Sequence, residues 1–360
     1  MPFDYRKPYD SLPLLPPVQD IETKAVLKRC VSATRALAEL KGAGDLIPDQ
    51  SILINAIPLQ EAKLSSEIEN IVTTQDELFK AALGEIYVTD PQTKEVLRYR
   101  TALRYGFETL AQRNLSLNLI REVCSILMGE QINFRNAQEQ VAIGNPLTKQ
   151  ISYMPPSGGI VLTSKLENLE KFLLDVEGPD PLIRMAVAHY QFEAIHPFVD
   201  GNGRSGRIFN ILYLLHAGLL KIPVLYLSRY IIQTKSDYYA LLRNVTEKEN
   251  WESWILYMLR GVEETALWTA ERIDTIRKLF DYTVSLCKEK LPKIYSKELI
   301  ELIFRQPYCK ISFLVDDGIA KRQSASGYLK NLESIGILQG EKRGRETIYK
   351  HPALIEVLTQ

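Results

Sequence analysis

The chain has 360 residues, enough for two or three domains of ordinary size. Hydrophobic residues make up 46% and charged residues 24%, the balance of a globular protein. Its 44 basic and 44 acidic side chains cancel, so no overall charge draws it toward nucleic acid or anionic lipid, and any such partner needs a local patch.

The first 20 residues are proline-rich and expected to be extended; "MPFDYRKPYDSLPLLPP" lacks the apolar stretch of a signal peptide. No apolar run approaches the ~20 residues needed to span a bilayer, so no membrane contact and a cytoplasmic location are expected. From 21 to 79 the periodicity is helical, broken by glycine and proline at "KGAGDLIPD". Helical periodicity continues from 96 to 135. Two β-type runs, Val141–Ile143 and Gln150–Met154, flank a Gly-Asn-Pro turn and predict a hairpin. Helices resume at "LENLEKFLLDV" and "PLIRMAVAHYQFEAI", where Leu182, Ala186, Tyr190 and Ala194 share one face. "RIFNILYLLHAGLL" is apolar nearly all round, which predicts a central buried helix. Further helix follows through "SDYYALLRNV" and "WESWILYMLRGVEETALWTAERIDTIRKLFDYTV". The last 65 or so residues read as a separate unit of three short helices and a β-hairpin, the pattern of a winged helix. Cys30, Cys124, Cys287 and Cys309 have no CxxC spacing, which argues against a disulfide framework or a cysteine zinc site.

Chemistry concentrates in "FEAIHPFVDGNGRSGRIFN", residues 192–210. Gly201, Gly203 and Gly206 fit GxGxxG, but the segment before them is helical, so a dinucleotide fingerprint is rejected. No Lys-Ser or Lys-Thr follows, so the Walker pattern fails as well. Pro197 disfavours helix at His196, and a new helix is predicted to begin near Ser205. The start of a helix offers unpaired N–H groups and the positive end of its dipole, which suit a phosphate. Glycines let backbone amides approach such an anion, and Arg204 and Arg207 add forked donors. Asp200 is a hard oxygen ligand suited to Mg2+, and His196 is placed to take a proton.

"HPFVDGNGRSGR" resembles in full the HPFx[DE]GNGRxxR signature of the Fic family, and the likeness extends over roughly residues 96–265. The resemblance implies a mainly α fold: a Fic helical core with a small β-hairpin flap, plus the C-terminal winged-helix domain. It implies transfer of AMP from ATP to Ser, Thr or Tyr hydroxyls of target proteins. His196 is then the base, Asp200 the Mg2+ ligand, and Gly201, Asn202 and Gly203 the anion hole, with the Asn202 side chain as a further donor. Arg204 and Arg207 hold phosphates, with Ser205 and Gly206 completing the nucleotide loop, and Phe198 packs in the core. "ISYMPPSGG" resembles the flap that docks a target segment through Ser152, Tyr153 and Met154. Pro155 and Pro156 stop its strand and leave a short edge. Tyr238 and Tyr239 fall where the family lines its adenine and ribose pocket.

Family members carry an inhibitory helix with the pattern [ST]xxxE[GN]. Ser65, Glu69 and Asn70 fit it, and Glu69 is expected to pair with Arg207. "TSKLEN", Thr163 to Asn168, fits equally well but lies just after the flap, so it is read as coincidence. The implied domains are an N-terminal helical region (1–95), a catalytic core (96–270), a connecting helix (271–290) and the winged-helix unit (291–360). There Lys321, Arg322, Lys330, Lys342, Arg343 and Arg345 could meet DNA phosphates, against interleaved Asp316, Asp317, Glu333 and Glu341. A homodimer is expected from relatives. The alternatives are removal of AMP by the same site, transfer of phosphate, and a DNA-binding regulator with an inactive core.

Overall fold

The computed structural model describes residues 3–81, 83, 90–145, 150–305, 307–343 and 346–359. The fold is mainly helical with two small antiparallel sheets. Among the described residues no helix is long and apolar enough to cross a membrane.

Four helices open the chain after an extended arm: α1 (Lys24–Asp45), α2 (Ser51–Ile68), α3 (Gln75–Ala81) and α4 (Pro91–Leu110). Thr23 and Asp90 cap α1 and α4 through their side-chain oxygens, satisfying amides that the first turn leaves free. The break between α1 and α2 falls at Pro48, while Gly42 and Gly44 of the predicted break lie within α1. Next come α5 (Leu117–Met128) and the hairpin of β1 (Ile143–Asn145) and β2 (Gln150–Tyr153). Its register pairs Ile143 with Tyr153 and Asn145 with Gln150, with a bulge after Ile143. The first strand thus starts two residues later than the periodicity implies. The Pro146 of the expected turn lies outside the described residues.

The core of the molecule is α6 (Ile160–Leu174), α7 (Pro181–Ile195) and α8 (Asn202–His216). Ile208, Phe209, Ile211, Leu212 and Leu214 bury α8 on every side, as its all-round apolar pattern predicts. α9 (Leu227–Gln233), unmarked by any clear periodicity, precedes α10 (Lys235–Lys248). α11 (Trp251–Lys290) then runs unbroken for 40 residues, so the separate connecting helix is the distal part of one rod. Trp254, within it, donates from its indole to the Ala186 carbonyl of α7 at 2.7 Å.

The C-terminal unit contains α12 (Lys297–Arg305), β3 (Tyr308–Lys310), α13 (Ile311–Asp316), α14 (Arg322–Ser334), β4 (Gln339–Arg343), β5 (Glu346–Lys350) and α15 (Pro352–Thr359). Three helices and a hairpin stand where expected. A third strand, β3, pairs with β5 to give the order β3-β5-β4; three residues are too short to show a period of two. The unit is joined to α2 and α3 by side chains. Asp76 accepts from Tyr308, Arg305 pairs with Asp49 at 3.5 Å, and Phe79 stacks on Tyr308. The side chain of Arg343 and all of Arg345 lie outside the described residues.

Candidate active site

The site forms where α7 ends and α8 begins. Asp180 caps α7 and Pro181 occupies its first turn, both good starts for a helix. The end is unusual: His196 takes a left-handed conformation, φ 51° and ψ 62°, rare for a residue with a side chain. Two devices hold it there. Phe198 packs fully buried against Phe134, ring centroids 5.4 Å apart. Arg135, 2% exposed, threads the loop with its guanidinium. It donates to the carbonyls of His196 (2.8 Å), Ile195 (3.1 Å), Pro156 (2.9 Å) and Glu139 (3.2 Å). Its backbone amide reaches the Pro197 carbonyl at 2.9 Å. Arg135 thus ties the His196 turn to the foot of the hairpin. The sequence reading missed it, because its partners are backbone atoms that leave no pattern in side-chain identities.

α8 begins at Asn202, three residues before the expected Ser205, because Gly201 supplies a left-handed N-cap at φ 84°. Four of the residues expected at the nucleotide have neighbours of their own within the protein. The Asn202 side chain does not face an anion: its oxygen accepts from Phe198 N (2.9 Å) and its amide donates to Phe198 O (2.8 Å), closing the loop. The Ser205 hydroxyl is committed to the carbonyls of Gly201 (2.8 Å) and Asn202 (3.1 Å). Gly206 serves helix packing, since a Cβ there would meet Glu193 and Phe192 of α7. Tyr238 lies in the core, 2% exposed, bonded to His189 at 2.9 Å. Tyr239 does line the cavity.

No side chain caps α8, so its first amides are open to an incoming group. The Glu69 carboxylate, at the end of α2, lies over Gly203 in that first turn. A Cβ on Gly203 would collide with Glu69 Oε1, so the absence of a side chain at 203 is what admits the carboxylate. Arg207, 2% exposed, donates to Glu69 Oε1 (2.9 Å), Ser65 Oγ (2.7 Å) and Ser65 O (2.9 Å). Burial opposes ionisation of both partners, yet the Arg207 charge holds Glu69 below the usual carboxylate range, and Glu69 keeps Arg207 above its own. Asn70 explains the end of the short motif: at φ 63° it takes the left-handed turn that ends α2, a conformation favouring Gly or Asn. Arg204 is held apart, by Glu95 of α4 at 2.8 Å. The second match faces elsewhere: Glu167 is exposed on α6, and Asn168 is bonded to Leu15.

A cavity of about 470 Å³ opens between the hairpin, α7, α10 and the helix start, lined by His196, Gly203, Glu69, Ser152, Tyr153 and Tyr239 among others. Burial lowers His196 to about 4, with Arg135 adding to the effect, so its imidazole is neutral at neutral pH. Burial raises Glu193 to about 7 beside it. In the hairpin, Ser152 Oγ donates to Ile143 O (3.0 Å) and Tyr153 OH to Ala194 O (2.8 Å), which fixes the strand over the site. Asp200 is exposed, one oxygen accepting from Gly201 N at 2.6 Å. Among the described residues no group of three or more His, Cys, Asp or Glu side chains could enclose a metal.

Three family models match in succession: "Fic/DOC family N-terminal" at 27–108, "Fic/DOC family" at 114–214, and "Protein adenylyltransferase SoFic-like, C-terminal domain" at 279–354. The chain is 40% identical over 63 residues to Protein adenylyltransferase fic-1 of Caenorhabditis elegans, which is 18% of this chain and 11% of that one. It is 28% identical over 180 residues to Protein adenylyltransferase Fic of Nematostella vectensis, 48% of this chain and 38% of that one. The chain therefore spans well under half the length of the curated relatives it matches. A Fic family protein from Desulfovibrio desulfuricans G20 shares the fold across 93% of this chain and 98% of its own, with a TM-score of 0.57 and 19% identity. The chain carries a Fic/DOC domain, preceded by that family's N-terminal domain and followed by a SoFic-like C-terminal domain.

Proposed function

We propose that this Fic/DOC-domain chain transfers AMP from ATP to hydroxyl groups of target proteins, and that the Glu69 carboxylate restrains it. The observation that carries the reading is the seat of that carboxylate. An anion already lies over Gly203 at the start of α8 and is bonded to the buried Arg207, where a nucleotide's phosphates would otherwise sit. Relatives named as protein adenylyltransferases support the same chemistry.

His196 takes the proton of the acceptor hydroxyl while its oxygen attacks the α-phosphorus of ATP. The new bond is O–P, the bond that breaks joins the α-phosphorus to its bridging oxygen, and diphosphate leaves. The amides of Gly203 and its neighbours, with Arg207 once Glu69 withdraws, stabilise the departing charge. Arg204 adds to this when it exchanges Glu95 for phosphate. Tyr239 borders the nucleotide, and Ser152, Tyr153 and Met154 present an extended acceptor segment by main-chain pairing. Mg2+ fits the site: Mg2+ binds through one or two carboxylates plus phosphates, and Asp200 offers one exposed carboxylate. Bound there, it would neutralise phosphate charge.

Incubation of the Glu69→Gly variant with ATP labelled at either the α- or the γ-phosphate tests this reading. Label retained from the α-position alone supports it. Label from the γ-position would mean phosphate transfer, and none from either would leave an inactive core. We read the C-terminal unit as a winged helix that docks on α2 and α3. DNA has no part in this proposal.

A further inference from the structure

β2 has one edge paired to β1 and the other without a strand of this sheet among the described residues. At the end of that free edge, the Met154 carbonyl accepts from the Tyr9 amide at 3.0 Å. Around this bond three rings meet. Phe3 stacks on Tyr153, centroids 5.7 Å apart and planes 22° from parallel, and packs edge-on against Tyr9 at 5.1 Å. Tyr9 meets Tyr153 at 6.3 Å. Phe3 also lines the cavity that holds His196.

The arm is held very unequally along its length. From Asp10 onward it is fastened: Asp10 accepts from Ser157 N (2.7 Å) and Ser157 Oγ (3.1 Å), Lys165 donates to Leu12 O (2.7 Å), and Gln191 to Pro13 O (2.8 Å). Asn168 bonds both the amide (2.7 Å) and the carbonyl (2.9 Å) of Leu15. Leu12 and Leu15 are buried. Residues 4–7 are exposed, and the stretch from 3 to 9 meets the hairpin through one main-chain bond and the ring contacts. A weakly held strand on a firm tether has a high effective concentration at its site yet can be displaced.

We propose that residues 3–9 act in cis as a displaceable occupant of the acceptor edge, covering Met154 and Tyr153 until a target segment takes their place. The inference rests on the reading of the hairpin as the acceptor-docking element. It gives the protein a second restraint, separate from Glu69: one competes with the acceptor and the other with the nucleotide. It also defines the acceptor's chemistry as an extended stretch with an aromatic side chain for the Tyr153 ring.

The test uses the full chain, a chain lacking residues 1–9, and Phe3→Ala, each also with Glu69→Gly. The probe is reduced, carboxymethylated α-lactalbumin, a permanently unfolded protein. Without nucleotide, fluorescence anisotropy should show the probe binding the two arm variants several-fold tighter than the full chain. With ATP, the arm variants should show a lower KM for the probe, with kcat and the KM for ATP unchanged. Equal binding and equal KM across all chains, with unchanged melting temperatures, would overturn the inference. So would weaker binding by the variants, which is what a hairpin merely braced by the arm predicts. If no Glu69→Gly chain labels itself or the probe, the proposed activity fails instead, and the arm is judged on the binding data alone.

Discussion

Glu69 Oε1 and Arg207 Nη2 lie 2.9 Å apart at the start of a buried helix, and Ser65 completes the grip on the same guanidinium. Arg207 is almost wholly enclosed while the Glu69 side chain is 36% accessible, so the pair is a buried cation met by a carboxylate at the rim. Such a carboxylate can leave without crossing hydrocarbon, provided another anion arrives for the cation it abandons.

Replacing Glu69 by Gly removes the competitor and leaves Arg207 in need of an anion. The free variant should melt somewhat below the parent, because one partner of an enclosed cation is gone. Saturating ATP should then raise its melting temperature by more than it raises the parent's. The gain grows as the logarithm of ligand over Kd, so about 100-fold tighter effective binding adds ~2.7 kcal/mol. Equal shifts in differential scanning fluorimetry would contradict competition at this point. Ser65→Ala should act in the same direction but more weakly, since it removes one of three bonds to Arg207.

His196→Ala should cut transfer by ~10²–10⁴-fold, the usual contribution of a positioned base, while ATP binds as before. Calorimetric titration with ATP alongside a rate measurement separates the two effects. A rate loss matched by a loss of ATP affinity would make His196 a structural residue.

Arg135 acts through the turn it threads. Arg135→Lys keeps the charge but cannot reach four carbonyls at once. The expected result is a fall in kcat of about tenfold or more with the KM for ATP changed little, because the loss falls on positioning rather than on nucleotide contacts. Arg135→Ala should also cost on the order of 2–4 kcal/mol of stability, since several enclosed carbonyls lose their donor. Unaltered kcat in the lysine variant would remove Arg135 from the account.

Glu61 sits one turn before Ser65 on α2, accepting from Ser228 N at 3.1 Å, from Ser228 Oγ, and from Tyr99 OH at 3.3 Å. Burial raises it from 4.5 to about 7, against the pull of those bonds and of Arg207. A carboxyl raised on folding contributes stability that is present below its unfolded pKa and lost as pH rises through the folded value. This group should therefore withdraw on the order of 1–3 kcal/mol of stability as pH rises from about 4.5 to about 7. Glu61→Gln should flatten that loss; parallel melting-temperature profiles for the two chains would refute it. Glu193, also raised to about 7, tilts both profiles the same way, so only their difference reports on Glu61.

The parts legible in sequence were those written in side-chain identity over several turns. The all-round apolar run became the enclosed α8, and the twelve-residue motif brought His196 and Gly203 to one cavity, with Arg207 buried behind Glu69. Glu69 reached Arg207 across 138 positions, a contact that periodicity could not supply and the short motif did. Backbone-mediated features stayed hidden. Arg135 speaks to carbonyls, and β3 is too brief for a pattern. The arm joins the hairpin through an amide that any residue but proline offers. The side-chain bonds of Asn202 and Ser205 were hidden for a related reason: a polar side chain in a tight loop satisfies the loop's own backbone first.

The most direct test of the central claim is the intact mass of the purified Glu69→Gly protein after incubation with ATP and Mg2+, beside the parent and the Glu69→Gly, His196→Ala double variant. The account predicts a mass increase of one or more AMP groups for the single variant and little or none for the other two. An unchanged mass in a folded Glu69→Gly protein that binds ATP, or an equal gain in the double variant, would contradict it.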